Sequence, residues 1–316
     1  MTKNTPPVYA GLDIAKATLQ LHFQGRQYAL DNSATGHKKL LSLVGACPQI
    51  HLVCEATGGY ERPVVAALQA ADRPVSVLNP AHVRHFALSQ GRRAKSDPLD
   101  CALLTACGHA HHPAPAPKPN AALAQMRALV DWRGQLKEQL VRARQQGEHT
   151  TDTFIRKQQA RLCKHLEAQI KTVEKQLAGA VAASPAHQEQ VDVLDQMPGV
   201  GFLTAITVLC HMPELGQLNR QQTGALAGLA PWVRESGPWQ GQRHIGGGRA
   251  TVRHALYMSA VALARQKETT LGQFYIHLRD AGKPAKVALT AVMRKLLVHM
   301  NQKLKEHALE KNVKKS

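Results

Sequence analysis

Strand-like and helix-like segments alternate through the first third of the chain, and acidic residues stand at two of the strands. Residues 8–15 form an apolar run that carries one acid, Asp13, and residues 50–54 form a second apolar run followed by Glu55. Further strand-like segments lie at 18–23, 27–30 and 74–78, and helix-like segments at 36–44, 60–71 and from 80. This alternation predicts an α/β sheet. Because a buried strand seldom carries an unpaired carboxylate, Asp13 and Glu55 are candidate site residues.

A second pair of acids follows a basic patch. Asp97 and Asp100 stand three residues apart before an apolar run, 101–107, and in a helix such residues share a face. The same two acids also suit an ordinary helix start, with Asp97 as the N-cap and Asp100 near the positive end of the helix dipole. The basic residues before them are Arg92, Arg93 and Lys95.

Taken together, the four acids would repel one another unless a cation joined them. Carboxylate oxygens are hard ligands, and they favour Mg²⁺, with Mn²⁺ as the alternative. The sequence therefore predicts a divalent metal site.

A linker and long helices are predicted after residue 108. The alternating prolines that follow His109, His111 and His112 predict an extended linker, and those histidines are interpreted as solvated. Leucines at steps of three and four over 121–181 predict a helical hairpin or coiled coil, a candidate dimer element, nucleic-acid arm or both. The glycines of 199–201, between two helix-like segments, resemble a helix-hairpin-helix turn that offers N–H groups to a phosphate, and they equally suit a tight interhelix turn.

A second informative region, residues 225–264, is dense in glycine and arginine. Ser236 precedes a glycine there, and arginines around it would hold the charge of a phosphate close to the hydroxyl. The other interpretation is an ordinary loop serine. The arginines are Arg234, Arg243, Arg249 and Arg253.

Composition narrows the partners and the compartment. The 316 residues carry a formal net charge of +18, spread along the whole length, which indicates a polyanionic partner, nucleic acid first. No apolar run long enough to span a membrane and no signal-peptide core are present. The six cysteines form no CxxC pair, and buried free thiols in a reducing cytoplasm are the interpretation.

In this order and spacing, the motifs resemble those of the DEDD-type transposases of bacterial insertion sequences, which are related to the Piv pilin-gene invertases and include the bridge-RNA-guided recombinases. The resemblance covers nearly the whole chain. It rests on the segments 11–16, 54–60 and 95–100 at the front and on 229–231, 236–237, 247–249, 253 and 256–258 at the back.

The resemblance implies an RuvC-like (RNase H-fold) domain over 1–111, a proline-rich linker over 112–120, a coiled-coil region over 121–184, a helical transposase domain over 185–310 and a basic tail over 311–316. It implies Asp13, Glu55, Asp97 and Asp100 as metal ligands and Ser236 as the nucleophile that joins DNA covalently. It further implies donor and target double-stranded DNA, a structured noncoding guide RNA, and a dimer that assembles into a tetramer with a composite site between subunits.

Three alternatives stay open at this point. A metal-dependent nuclease with water as nucleophile needs only the four acids. A nonenzymatic nucleic-acid-binding protein needs only charge and helices. A sugar-kinase-like phosphotransferase shares the strand with Asp13, but the chain shows no convincing adenosine-binding half.

Overall fold

The computed structural model describes residues 6–91, 97–118, 120–148, 150–232, 235–236, 239–241 and 244–313, and it describes residues 97–99, 235, 236, 239 and 240 by their backbone alone. The chain divides into two compact units, residues 1–119 and 120–316. The first unit is a mixed α/β structure and the described part of the second is mainly helical. The prediction of an α/β sheet in the first third of the chain is therefore confirmed.

The first unit is built on one five-stranded sheet in the order β3-β2-β1-β4-β5. The pairs β1–β2 and β2–β3 are antiparallel, and the pairs β1–β4 and β4–β5 are parallel. The strands are β1 (Val8–Ile14), β2 (Thr18–Phe23), β3 (Arg26–Asp31), β4 (Ile50–Glu55) and β5 (Val75–Leu78), and the helices are α1 (Ala34–Gly45), α2 (Arg62–Ala70), α3 (Pro80–Ser89) and α4 (Asp97–His111).

Both faces of this sheet are covered, which explains why β4 reads as a continuous apolar run. On one face Leu12 and Leu52 belong to a core with Leu40 of α1 and Leu68 of α2. On the other face lies a separate core with contributions from α3 and α4. Its members are Tyr9, Val53, Val83, Leu103 and Leu104.

The proline-rich segment lies along the first unit. The Ala116 N–H donates to the Val75 carbonyl at 2.8 Å, and the amide of Gln69 donates to the carbonyls of Ala116 and Pro117 at 3.0 and 3.1 Å. Alternating prolines leave the intervening N–H groups free to pair with the edge strand β5. Helix α4 ends at His111, so His109 lies on a helix and packs edge-on against the Tyr9 ring, with 5.2 Å between centroids.

The second unit begins with a helical hairpin. Helices α5 (Ala121–Glu148) and α6 (Thr153–Ala182) pack through Leu136, Leu140, Leu166 and Ile170. Ion pairs from Arg133 to Glu174 and from Arg144 to Glu167, both of 2.7 Å, show that the helices run antiparallel.

The base of the hairpin enters a larger helical core. Leu177 of α6 packs there with Ile206, Leu256 and Leu296 from three later helices. These later elements are α7 (Pro185–Asp195), α8 (Phe202–His211), α9 (Arg220–Leu226), α10 (Ala250–Arg265), α11 (Thr270–Asp280) and α12 (Ala285–Val313). In the turn between α7 and α8, Gly199 has a φ of +76°, and a Cβ there would lie 2.6 Å from Leu263, so glycine is required.

The described residues between α9 and α10 include four short strands. Strand β6 (Pro231–Trp232) pairs with β9 (His244–Ile245), and β7 (Glu235–Ser236) pairs with β8 (Trp239–Gln240), both antiparallel. Among the described helices, none combines the length and the apolar character that crossing a bilayer requires. All six cysteines are free thiols.

Candidate active site

Two of the predicted site acids lie side by side at the carboxyl ends of parallel strands. In the β1–β4 pairing Gly11 is opposite Val53 and Leu12 is opposite Cys54, so the next position places Asp13 beside Glu55. Leu12 and Cys54 point into the core shared with α1 and α2. Because successive side chains alternate between faces, Asp13 and Glu55 point to the opposite face, which α4 covers.

Helix α4 brings Asp100 to the same end of the sheet. The Gly11 N–H donates to the Thr105 hydroxyl oxygen at 2.8 Å, and Gly11 lies directly under the Cys101 carbonyl, where a Cβ would overlap it. Burial raises the pKa of the Cys101 thiol, and the negative charges of Asp13 and Asp100 add to that rise against the effect of nearby N–H groups. Both carboxylates are therefore close to one thiol.

Asp97 opens α4, three residues before Asp100, which places it on the same helix face by position. Its side chain lies outside the described part of the chain, as do Arg92, Arg93 and Lys95. Among the described residues, no group of three His, Cys, Asp or Glu side chains is arranged to hold a metal ion. The donor chemistry of the carboxylates at this edge nevertheless fits a hard divalent cation.

The loop after Glu55 is held by a residue that the sequence analysis did not single out. The Glu61 carboxylate accepts hydrogen bonds from the Thr57 N–H, the Thr57 hydroxyl and the Gly59 N–H at 3.1, 2.9 and 2.8 Å. Burial alone would raise the pKa of this carboxyl, but these bonds outweigh it and hold the pKa below its ordinary value. The signal in the sequence was an acid two residues after a Gly-Gly pair, where N–H groups converge.

Asn32 links the two acid-bearing segments. Its amide donates to the carbonyl of Ala15, just past β1, at 2.9 Å and to that of Tyr60, in the loop after β4, at 3.2 Å. Its carbonyl oxygen contacts the His37 Nε2 at 2.9 Å. Burial lowers the pKa of His37, which favours a neutral ring that donates from Nε2. Nothing in the sequence pattern indicates that Asn32 contacts residues 17 positions before it and 28 positions after it in the chain.

Ser236 belongs to the second unit. Its backbone lies in β7, opposite Trp239 of β8, in a small antiparallel hairpin. The side chain of Ser236 and the whole of Arg234 and Arg243 fall outside the described residues.

The two described arginines of this region have protein partners. The Arg249 guanidinium donates to both carboxylate oxygens of Glu214 at 2.7 and 2.8 Å. Arg253 donates to the carbonyls of Ala227 at 2.9 Å and of Gly247. These contacts fix the glycine-rich loop that connects β9 to α10, and binding of nucleic acid by Arg249 and Arg253 stays a prediction.

Two family models match the chain. One, described as a transposase and named for the DEDD transposase of IS110, matches residues 10–154, and the other, described as "Transposase IS116/IS110/IS902 family", matches residues 191–275. The first match includes all four predicted acids and the second includes Ser236. A DEDD transposase domain implies an RNase H-like fold and the use of a divalent metal.

Two curated relatives match over most of their length. They are the "Pilin gene-inverting protein" of Moraxella bovis and that of Moraxella lacunata. Each is 26% identical to this chain over 300 residues, which cover 92% of the chain and 93% of the relative.

Proposed function

The chain belongs to the IS110-type transposases related to the pilin gene-inverting proteins, and we propose that it cuts and rejoins DNA through a covalent phosphoserine intermediate under RNA guidance. The class, a DNA transposase or site-specific recombinase that acts on DNA, follows from the family itself. One observation supports the proposed chemistry above all. Asp13 and Glu55 stand side by side at one end of the sheet, and Asp100 lies near Asp13 on the face that α4 covers.

In the proposal, these three acids and Asp97 hold the divalent ion, Mg²⁺ first and Mn²⁺ as the alternative. When bound, the ion supplies positive charge that orients phosphate oxygens and stabilises the oxygen that leaves. The remaining features of the edge position the acids. Asn32 and Glu61 hold the segments that follow β1 and β4. The close packing of Gly11 under Cys101 determines how near the sheet the neighbouring Asp100 lies.

The bond to DNA is assigned to Ser236. Its hydroxyl oxygen attacks a phosphorus of the DNA backbone and releases its proton to solvent. The bond from phosphorus to one deoxyribose oxygen breaks, and that oxygen takes up a proton and leaves as a hydroxyl. A strand end is then joined to serine and the other strand end is free. One phosphodiester is replaced by another of similar energy in this exchange. A strand from the partner DNA can therefore displace the serine without another energy source. The acids of one subunit and Ser236 of another complete the site in this proposal.

Structured RNA and further copies of the chain are the proposed partners. The antiparallel α5–α6 hairpin exposes Trp132, Phe154 and Leu162 at 46, 68 and 48% of their surface, which favours a coiled-coil contact with a second copy in a dimer and then a tetramer.

The net charge of +18 supports binding of both RNA and DNA. The glycine turn between α7 and α8 is proposed to contact a phosphate. The proposed location is the cytoplasm, because free thiols persist in a reducing compartment.

A strand-cleavage assay on full-length protein tests the proposal against the water-dependent nuclease. Ser236→Ala is expected to abolish cleavage and retain DNA binding, and Asp100→Asn is expected to abolish cleavage as well. Cleavage that continues in Ser236→Ala and stops in Asp100→Asn would assign the chemistry to water at the acids. Cleavage that survives both substitutions would remove both parts of the proposed site.

A further inference from the structure

A large cleft opens in the second unit on the side of the β6–β9 pair. Its volume is about 880 Å³, within the range of pockets that hold small organic ligands. Helix α12 forms one wall, and Pro231 of β6 with His244 and Ile245 of β9 contributes to the lining. Strand β6 ends at Trp232, four residues before Ser236 in the chain, so the cleft stands at the base of the segment that carries the candidate nucleophile.

The floor of the cleft is apolar and aromatic. Tyr257 of α10 and Phe274 of α11 line it. Tyr257, Ile245 and Val287 keep 42, 39 and 53% of their residue surface exposed. An apolar surface of this kind in a concave site is typical of a place where a flat ring or an aliphatic group binds.

Positive charge surrounds this apolar floor. Arg220, Lys286, Arg294 and Lys295 line the cleft, and no Asp or Glu does so among the described residues. A second cleft in the same unit, of about 620 Å³, includes Glu306 and Glu310 in its lining and does not share this bias towards positive charge.

No carboxylate in the described part of the chain forms an ion pair with Arg220, Lys286, Arg294 or Lys295. Lys295 Nζ lies over the Phe274 ring, 3.6 Å from its centroid. Arg294 makes no ion pair with a described carboxylate, and its Nε is buried without a hydrogen-bond partner in the described part of the protein. Its guanidinium packs against Gly224, where an added Cβ would lie 3.2 Å from Nε. Packing therefore orders the side chains of Arg294 and Lys295, and their positive charge stays available to an anionic ligand.

An unstacked nucleotide combines the two properties that such a cleft requires, because its base has an apolar face and its phosphate is an anion. A paired base presents only its edge, so the cleft suits a strand that has left the duplex. We propose that this cleft binds an unpaired nucleotide of a DNA strand next to the cleavage site, with the base against Tyr257 and the phosphate near Lys286, Arg294 and Lys295. The proposal rests on the proposed function, which places the reacting DNA strand at Ser236.

Fluorescence anisotropy of full-length protein with labelled oligo-dT of about 12 nucleotides tests the proposal. Tyr257→Ala and Lys286→Glu are each expected to weaken binding about tenfold, since one removes a stacking surface and the other reverses a charge. Lys267→Glu, which makes the same charge change at an exposed residue outside the lining, is the matched control and should stay within about twofold of the wild type. On a duplex of equal length, Tyr257→Ala should bind as the wild type does.

Three results would overturn the proposal: unchanged oligo-dT binding by Tyr257→Ala, an equal loss for Lys267→Glu and Lys286→Glu, or a loss on oligo-U with none on oligo-dT. The last result would assign the cleft to RNA. Covalent capture of DNA by the wild type, measured in parallel, separates the two proposals. If the wild type forms adducts but the cleft variants bind oligo-dT as the wild type does, only the cleft proposal is contradicted. If the cleft variants lose oligo-dT binding but the wild type forms no adducts, only the serine chemistry is contradicted.

Discussion

Gly11 of β1 lies directly beneath the carbonyl oxygen of Cys101 in α4. A Cβ on Gly11 would overlap that oxygen and would lie 2.7 and 2.8 Å from the Thr105 nitrogen and hydroxyl oxygen. Because Gly11 has no side chain, α4 can pack closely against β1 at this position. Gly11 stands two residues before Asp13 in the same strand. This approach brings Asp100, the neighbour of Cys101, to the acids on β1 and β4.

Gly11→Ala is expected to force α4 away from β1. Because the obstructing atoms are mainly backbone, the cost should reach about 1–3 kcal/mol of unfolding free energy or more, and DNA cleavage should fall with the displacement of Asp100. Denaturant unfolding and a cleavage assay measure the two effects. Gly45→Ala, in α1 with nothing within 4 Å of its Cβ, should leave both unchanged or raise stability slightly. Equal effects of the two substitutions would contradict the packing argument.

Asn32→Ala is expected to reduce cleavage more than it reduces stability. It removes the hydrogen bonds to Ala15 and Tyr60, which join the segments after the two acid-bearing strands. We expect a cleavage rate lower by about tenfold or more, since small misplacements of site groups are costly.

The adjacent Ser33 supplies the control for Asn32. Its hydroxyl caps α1 by accepting from the Gly36 N–H at 3.2 Å, so Ser33→Ala should lose about 1 kcal/mol of stability with little change in cleavage. If Asn32→Ala cleaves DNA as well as Ser33→Ala does, Asn32 has no positioning role.

The sequence predicts the acids at the carboxyl ends of β1 and β4, but it does not predict the residues that position them. Apolar runs with single acids predict the strands β1 and β4 and the places of Asp13 and Glu55 along them, because strand formation and face alternation follow from local pattern. The pairing of β1 with β4 is a non-local contact, and it is known only from the fold. The tie through Asn32 depends on tertiary placement of a single polar side chain, which no periodicity encodes.

The glycine-rich region shows the same limit. Arg249 and Arg253 read as phosphate ligands because of their neighbours in sequence, yet each has a protein partner. The partner of Arg249 is Glu214, 35 residues earlier in the chain. A local pattern reveals that an arginine is available, while only the fold reveals which acceptor lies opposite it.

The pairing of Glu214 with Arg249 predicts a pH-dependent contribution to stability. The hydrogen bond from Arg249 is the main reason that the pKa of Glu214 lies below its ordinary value. The stabilisation is therefore complete above the ordinary carboxyl pKa of about 4 and is lost as the pH falls through the lower value in the folded state. Thermal unfolding should show Glu214→Gln less stable than the wild type at neutral pH, with the difference shrinking towards acid pH. A constant difference would contradict the coupling.

Removal of single acids should weaken metal binding. Titration of full-length protein with Mn²⁺, followed by calorimetry, is expected to show affinity at least about tenfold lower in Asp13→Asn and Asp100→Asn, because each removes a hard charged ligand. Asp72→Asn removes an equal charge from an exposed residue of the same unit that pairs with Lys118, and it should bind Mn²⁺ as the wild type does. Uniform losses in all three variants would indicate a general charge effect in place of a site.

The most direct test of the central claim is to locate the covalent bond to DNA. Wild-type protein is incubated with its DNA and Mg²⁺, the reaction is denatured and digested, and the peptide attached to a nucleotide is sequenced by mass spectrometry. We predict that the nucleotide is linked to Ser236 and that the adduct disappears in both Ser236→Ala and Asp100→Asn. An adduct on another residue, or strand cleavage by the wild type without any adduct, would contradict the assignment of the nucleophile.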